Sequence, residues 1–219
     1  MNITSIRHKI TGWMNPVARV LAKTRISPNM ITFLSFLFGI GAAVSFYFCQ
    51  FILGAVLLGL SGVFDLADGT VARLTNRKSA FGAALDWIVD KYVDGIVLVA
   101  IGLSIFVQSP WYLSSLPIPT VVFVAVAGLA VIGSIMNTFI KPVAYAEIGF
   151  TSKDNGKIND PLEGVGFFGR PETFIVLMLG GFSGFIWIAV AIIAFCTNVS
   201  AIQRIVFLYK KHGKVYEQE

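Results

Sequence analysis

Long apolar stretches alternate with short polar segments along this chain. Three of these stretches contain no charged residue: 26–64, 95–140 and 173–203. A membrane-spanning helix needs about 20 predominantly apolar residues, so the pattern predicts six spans. We expect them at about 28–48, 51–75, 79–107, 118–140, 171–182, and from 184 into the last basic residues. The fourth span has an alternative end, since it can continue to Glu147. The break between the last two spans is expected in the sequence GGFSGF.

The first part of the chain has an amphipathic pattern instead. Over residues 3–23 the apolar residues share one face at helical spacing: Ile6, Ile10, Trp13, Met14, Val17, Val20 and Leu21. The basic residues of this segment lie elsewhere on the helix: Arg7, Lys9, Arg19 and Lys23. Such a helix lies on a membrane surface, with a bend expected at Pro16. We expect an all-α integral membrane protein with a juxtamembrane helix and lead-in (1–25) and a six-helix transmembrane domain (26–219).

Composition agrees with a membrane protein. The 219 residues are 56% hydrophobic and 13% charged, with a mean hydropathy of +0.77, whereas soluble domains carry about 25% charged residues. Cys49 and Cys196 lie far apart in apolar runs and indicate neither a disulfide nor a zinc framework. The N-terminal sequence lacks the short apolar core of a cleavable signal peptide.

The net charge of +5 comes from clustered basic residues. Apart from Lys91, they fall near the N-terminus, at 73–78, at 141–170 and near the end of the chain. Basic loops mark the cytoplasmic side of a membrane protein. We therefore expect a multi-pass protein of the cell membrane with both termini in the cytoplasm, and no nucleic-acid partner.

The acidic residues concentrate in the middle of the chain. The segment FDLADGTVARLTNRKSAFGAALDWIVDKYVD holds Asp65, Asp68, Asp86, Asp90 and Asp94. With a turn near Arg77, Asp68 lies nine residues before it and Asp86 nine after it. An antiparallel hairpin therefore brings the first four aspartates to a similar depth, about 13–20 Å along the helices at about 1.5 Å per residue. Gly69 and Gly82 leave room beside them for a ligand or another backbone, so one pocket is expected.

Four carboxylates inside a membrane need partners. Paired or protonated aspartates that only hold helices together are one interpretation, but cations to match them are lacking. Lys91 is rotated about 100° from Asp90 on a helix, and Arg73 is a single residue. The natural partner is a hard divalent cation with oxygen ligands, Mg²⁺ or Mn²⁺. Two such ions neutralise four carboxylates and prepare the site for an anionic substrate.

Two other classes of protein also use intramembrane carboxylates or a membrane pocket. A cation transporter needs polar groups continuing towards the outer face, and residues 95–140 supply no charge there. A non-catalytic lipid-binding scaffold tolerates the loss of an aspartate, yet all four are present. Lys91 and Asp94 are expected to be local packing or hydrogen-bonding partners, and Glu147 and Glu172 have no assigned role.

The segment DLADGTVARLTNRKSAFGAALDWIVD has the form D-x2-D-G-x2-A-R-x8-G-x3-D-x3-D. It resembles, at every defined position, the signature of the CDP-alcohol phosphotransferases (CDP-alcohol phosphatidyltransferases). The surface helix, the sequence ISPNMIT and the six-span layout also resemble this family, so the likeness covers most of the chain. The resemblance implies a homodimeric enzyme that transfers a substituted phosphate group from a CDP-linked lipid, of CDP-diacylglycerol or CDP-archaeol type, to an alcohol and releases CMP.

The resemblance also implies roles for single residues. Asp65, Asp68 and Asp86 would bind one metal ion, and Asp65, Asp86 and Asp90 the second. Asp90 would also be the base that takes a proton from the incoming alcohol. The CDP-linked lipid would be bound by Asn29, Thr32, Gly69, Ala72, Arg73, Ser79 and Gly82.

The acceptor alcohol is suggested by two further segments, NTFIKPVAYAEIGF and GFFGRPETF. They loosely resemble the parts of phosphatidylinositol-phosphate synthases that bind the acceptor phosphate, with Lys141 and Arg170 in those places. Arg204 is expected at the same cytoplasmic mouth. Three cations favour a phosphorylated acceptor such as inositol phosphate, with glycerol phosphate or serine as the alternative. Two residues depart from the pattern, since Thr173 stands where a second arginine is expected and Pro142 interrupts the end of the fourth span.

Overall fold

The computed structural model describes residues 16, 18–24, 26–109, 118–149, 153–154, 157–158, 162 and 164–213. Within these residues the chain forms six long helices and one short hairpin. The helices are α1 Pro28–Tyr47, α2 Phe51–Leu74, α3 Ala80–Ser104, α4 Thr120–Ile148, α5 Arg170–Ser183 and α6 Ile186–His212. Two antiparallel two-residue strands, β1 Lys153–Asp154 and β2 Lys157–Ile158, form the hairpin between α4 and α5.

Each helix lies within a few residues of a predicted span, and its ends have local causes. Ser27 precedes α1 and accepts a hydrogen bond on its Oγ from Met30 N at 3.3 Å. The residue after α5, Gly184, has a φ of 79°, which ends that helix inside the predicted GGFSGF break. Pro142 lies within α4, which continues to Ile148, so the longer predicted end of the fourth helix is confirmed.

The predicted surface helix lies mostly outside the described residues. Residues 18–23 are helical, and Ala18 packs with Ile31, Ala67 and Val71 in a small apolar cluster. This contact joins the lead-in to the start of α1 and the end of α2. The remainder of the helix predicted for 3–23, with its bend at Pro16, stays a prediction.

Four of the described helices are long and apolar enough to cross a membrane: α1, α2, α4 and α6. The chain is therefore a multi-pass membrane protein. The other two helices fall short for different reasons. The 25-residue α3 carries the charged residues Asp86, Asp90, Lys91 and Asp94. The 14-residue α5 is about 21 Å long at about 1.5 Å per residue, which is less than the thickness of a bilayer core.

The packing of the helices leaves the two arms of the α2–α3 hairpin apart. Helix α1 packs against both α2 and α3, α4 packs against α3 and α6, and α5 packs against α2 and α6. Helices α1 and α3 approach closely at Gly39, where an added Cβ would lie 2.6 Å from a Val93 methyl. Because the hairpin arms meet through α1 rather than directly, the acidic side chains have space between them.

Candidate metal and catalytic site

Three of the predicted metal ligands meet between α2 and α3. One carboxylate oxygen from each of Asp65, Asp86 and Asp90 lies within 4.8 Å of the other two, and all three residues are partly buried. Asp86 and Asp90 are one turn apart on α3 and therefore share a face, whereas Asp65 comes from α2. The hairpin predicted from the spacing of the aspartates brings these three carboxylates together.

Asp68, the fourth predicted ligand, lies one turn after Asp65 on α2. It is only 5% exposed, and its Oδ2 accepts a hydrogen bond from the Thr32 hydroxyl of α1. Thr32 is itself buried. The structure thus gives Thr32 a contact with a carboxylate of the motif, while the binding of a CDP-linked lipid by Thr32 stays a prediction.

Arg170, the first residue of α5, reaches into the same cluster. Its Nη1 lies 2.9 Å from Asp65 Oδ2 and its Nη2 lies 2.7 Å from Asp90 Oδ1. The guanidinium also lies over the Phe174 ring, 4.9 Å from the centroid. The sequence predicts Arg170 at an acceptor site, and the structure brings it into direct contact with two of the predicted metal ligands.

The donor set of this cluster fits a hard divalent cation. Asp90 Oδ1 is buried, and Arg170 Nη2 forms an ion pair with it at 2.7 Å. The three carboxylates outnumber the single charge of Arg170, and oxygen ligands of this kind suit Mg²⁺ or Mn²⁺. The acidic cluster can therefore hold a metal ion.

Asp94 and Lys91 form the local pair that the sequence predicts. Asp94 is buried, and its Oδ2 lies 2.7 Å from Lys91 Nζ. Lys91 also donates to Thr138 Oγ1 of α4 at 3.1 Å, and Ser134 Oγ lies 3.5 Å from Asp94 Oδ2. This network joins α3 to α4. The sequence did not indicate its further contact with α5, where Arg170 Nε lies 3.3 Å from Asp94 Oδ1.

Three residues predicted to bind the CDP-linked lipid meet where α1 and α3 begin. Ser79 precedes α3 and accepts a hydrogen bond on its Oγ from Gly82 N at 2.9 Å. A Cβ added at Gly82 would lie 3.0 Å from Ser79 Oγ and 3.2 Å from Asn29 Oδ1. Asn29 and Ser79 are both exposed. The absence of a side chain at Gly82 therefore leaves these two polar groups accessible beside the cluster.

Three more predicted lipid-binding residues lie on the last turns of α2. Arg73 Nη2 donates to Thr70 Oγ1 at 2.8 Å, and its Nη1 lies 3.8 Å from the position of a Cβ added at Gly69. Arg73 is exposed, and Ala72 beside it is partly buried. The C-terminal end of α2 thus presents a guanidinium next to a glycine one turn beyond Asp65.

The predicted acceptor-binding cations have different surroundings. Arg204 is 6% exposed. Its Nε donates to Val165 O at 2.9 Å and its Nη1 donates to Asn137 O. Asn137 Nδ2 in turn donates to Phe168 O at 2.7 Å. Through these hydrogen bonds, Arg204 of α6 connects the segment before Arg170 to α4. Lys141 is partly buried on α4. The acceptor-binding roles of Lys141 and Arg204 stay predictions.

Glu172, which had no assigned role, caps α5. Its Oε2 accepts a hydrogen bond from Gly169 N at 2.9 Å, which is the glutamate half of a capping box, since Gly169 has no side chain to complete it. The signal in the sequence is a glutamate at the third position of the helix after a proline at its start. Arg170 is thus presented from a capped helix end.

Comparison with known proteins identifies the same motif region. The model of the family described as CDP-alcohol phosphatidyltransferase matches residues 25–159. The archaetidylinositol phosphate synthase of Pyrococcus horikoshii is 27% identical over 203 residues, which cover 93% of this chain and 94% of that protein. The phosphatidylinositol phosphate synthase of Corynebacterium glutamicum is 32% identical over 168 residues, which cover 76% of this chain and 68% of that protein.

Solved structures of the Mycobacterium tuberculosis phosphatidylinositol phosphate synthase share the fold. The structure with CDP-DAG bound has a TM-score of 0.71 at 22% identity and covers 94% of this chain and 98% of that chain. The complex with manganese and citrate has a TM-score of 0.72 at 22% identity and covers 94% of this chain and 93% of that chain. Because the family match includes the whole acidic hairpin and more than half of the residues, this chain belongs to the CDP-alcohol phosphatidyltransferase family and is a transferase of that class.

Proposed function

We propose that this protein transfers the lipid-bearing phosphate group of a CDP-linked lipid to a hydroxyl of inositol phosphate and releases CMP, as a step of phospholipid synthesis. The observation that carries the proposal is the carboxylate cluster of Asp65, Asp86 and Asp90 with a guanidinium in contact with it. Two relatives named for making inositol phosphate lipids support this choice of acceptor.

The CDP-linked lipid would enter from the cytoplasmic ends of α1, α2 and α3. Asn29 and Ser79 offer hydrogen-bonding groups on either side of Gly82, and Arg73 offers two N–H groups for a phosphate. Gly69, Ala72 and Gly82 leave space for the nucleotide, while Thr32 orients Asp68 from α1. The lipid, of CDP-diacylglycerol or CDP-archaeol type, would keep its apolar tails in the bilayer at this depth.

Two divalent ions, Mg²⁺ or Mn²⁺, would be held by the aspartates. Asp65, Asp68 and Asp86 would hold the first, and Asp65, Asp86 and Asp90 the second. When bound, such ions neutralise the pyrophosphate and the negative charge that develops on the departing CMP. The presence of manganese in a structure that shares this fold supports the choice of metal.

Asp90 would act as the general base. Its carboxylate lies in the cluster with Asp65 and Asp86, where it can accept the proton of a hydroxyl placed beside it. The deprotonated oxygen then forms a bond to the lipid-side phosphorus, and the bond between that phosphorus and the oxygen of CMP breaks. Arg170 would bind the phosphate of the acceptor through its two Nη groups, with Lys141 and Arg204 as further candidates for this contact.

The membrane arrangement that fits this function has six spans, a surface helix before them and the site open to the cytoplasm. The transmembrane domain would comprise residues 26–219, and the basic residues around the site would face the cytoplasm by the positive-inside rule. A cell-membrane location and a homodimer complete the proposal, and the homodimer is implied by the family resemblance. Crosslinking in native membranes checks the dimer, and cysteine accessibility checks the orientation.

An acceptor panel tests the proposed reaction. Purified protein is incubated with CDP-diacylglycerol or CDP-archaeol, Mg²⁺ and one acceptor at a time: inositol phosphate, free inositol, glycerol phosphate or serine. We expect CMP release with inositol phosphate and a lipid product whose mass includes the inositol phosphate group. Turnover with serine or glycerol phosphate alone would make the alternative acceptor correct, and the family-level reaction would survive that result.

A further inference from the structure

We infer, on the basis of the function proposed above, that Asp94 is a positioning residue for the acceptor. It holds Nε of Arg170 in place while the two Nη groups of that arginine turn from carboxylates to the acceptor phosphate. Asp94 lies one turn beyond Asp90 on α3, outside the cluster formed by Asp65, Asp86 and Asp90.

The geometry of Arg170 separates two kinds of contact. A guanidinium carries five N–H groups, one on Nε and four on the two Nη atoms. Asp94 Oδ1 lies 3.3 Å from Nε, whereas Asp65 and Asp90 lie 2.9 Å and 2.7 Å from the Nη atoms. The contact with Asp94 therefore leaves the Nη groups available for another oxyanion.

Burial distinguishes the three carboxylates in the same way. The side chain of Asp94 is 1% exposed, against 13% for Asp65 and 17% for Asp90. Asp94 is also fixed from its other oxygen, because Lys91 Nζ lies 2.7 Å away and donates to Thr138 as well. Asp94 is thus a rigid partner at the inner end of the guanidinium, and Asp65 and Asp90 are more accessible partners at its outer end.

Charge leads to the same division of roles. Asp94 and Lys91 neutralise each other, and the two proposed divalent ions would neutralise Asp65, Asp68, Asp86 and Asp90. The positive charge of Arg170 is then left for an anionic ligand. A long arginine side chain that is already ordered loses less conformational entropy when it binds that ligand. The Phe174 ring beneath the guanidinium adds to this order.

A double-mutant cycle tests the inference. Asp94→Asn, Arg170→Gln and the double variant are compared for the KM of the acceptor, the KM of CDP-lipid and kcat. We expect Asp94→Asn to raise the acceptor KM about 10- to 100-fold, since the negative charge that strengthens the contact with Arg170 Nε is lost, and to leave the KM of CDP-lipid unchanged. In the Arg170→Gln background the same substitution should have no further effect. Ser134→Ala, which removes a hydroxyl 3.5 Å from Asp94, is the control and should change neither KM.

A second readout does not depend on turnover. Mn²⁺ binding, followed by electron paramagnetic resonance without substrates, should persist in Asp94→Asn because Asp94 is not a metal ligand. If Asp94→Asn does not fold, Lys91→Gln/Asp94→Asn removes both charges of the buried pair together and should give the same shift in acceptor KM.

Several outcomes would overturn the role of Asp94. These are an unchanged acceptor KM in the variant, an effect that adds fully to that of Arg170→Gln, an equal rise in both KM values, or loss of Mn²⁺ binding. If instead the unmodified protein uses no phosphorylated acceptor, the proposed function fails and the role of Asp94 fails with it. If the unmodified protein uses inositol phosphate and Asp94→Asn has an unchanged acceptor KM, only the inference about Asp94 fails.

Discussion

Arg170 and Asp65 form an ion pair of 2.9 Å although 105 residues separate them in the sequence. Asp65 belongs to the motif on α2, and Arg170 begins α5. This pair therefore adds a residue from the C-terminal part of the chain to a site whose motif is confined to residues 65–90. The segment before Arg170 is in turn held by Arg204 of α6 and by Asn137 of α4.

Replacement of Arg170 should separate acceptor binding from binding of the CDP-linked lipid. In Arg170→Ala the acceptor phosphate loses a charge-assisted contact of about 1.5–3 kcal/mol, so the KM of the acceptor should rise about 10- to 150-fold. The KM of CDP-lipid should stay nearly unchanged. Arg77→Ala removes an exposed cation from the α2–α3 turn and is the control. Equal effects of both substitutions would indicate that only the general positive charge of this face matters.

Asp65→Asn and Asp90→Asn should impair different steps, the first binding and the second turnover. Asp65 is proposed to bind both metal ions, so its replacement should weaken metal and nucleotide binding together. Asp90→Asn should still bind CDP-lipid at high metal concentration but turn over slowly, because loss of a general base lowers the rate about 10²–10⁴-fold. Equilibrium binding of CDP-lipid and single-turnover CMP release distinguish the two variants. Near-normal turnover by Asp90→Asn would remove Asp90 from the role of base.

Arg204→Gln should destabilise the protein. Arg204 is buried and donates to the carbonyl oxygens of Val165 and Asn137, and a buried acceptor that loses its partner is destabilising by about 1–3 kcal/mol. Thermal unfolding in detergent measures the effect, with Lys210→Gln, an exposed cation of the same helix, as the control. A rise in acceptor KM without a change in thermal stability would instead make Arg204 an acceptor ligand.

Gly82→Ala should weaken binding of the CDP-linked lipid. The added methyl group would lie 3.0 Å from Ser79 Oγ and 3.2 Å from Asn29 Oδ1, which narrows the space between these two polar groups. We expect a higher KM for CDP-lipid and an unchanged KM for the acceptor. Gly95→Ala is the matched control on the same helix, because a Cβ there meets nothing within 4 Å. A Gly82→Ala variant that behaves like Gly95→Ala would argue against the assigned nucleotide site.

The helices and the acidic hairpin could be predicted from the sequence because both depend on short-range patterns. Hydropathy and the sequence GGFSGF locate α5 and α6, and Ser27 and Ser79 precede the helices that they cap. The distances of Asp68 and Asp86 from Arg77 fix their depth once a hairpin is assumed. These signals do not depend on which helices become neighbours.

The contacts of Arg170 and Arg204 could not be predicted, because they depend on how distant helices pack. The apolar pattern gives the length of α5 but not its position against α2. A basic residue near a predicted cytoplasmic mouth also fits a solvated flank, and nothing in the sequence indicates that Arg204 is buried against backbone carbonyls. The role of Glu172 as a cap was accessible from the sequence Gly169–Glu172 but was not assigned.

Metal-dependent release of CMP tests the central proposal most directly. The protein is stripped with EDTA, supplied with CDP-lipid and inositol phosphate, and assayed for CMP before and after addition of Mg²⁺ or Mn²⁺. Carboxylate oxygens of Asp65, Asp86 and Asp90 converge within 4.8 Å of one another, so turnover should be abolished by chelation and restored by either ion. CMP release that persists in thoroughly chelated protein would contradict the proposal that Asp65, Asp68, Asp86 and Asp90 work by holding metal ions.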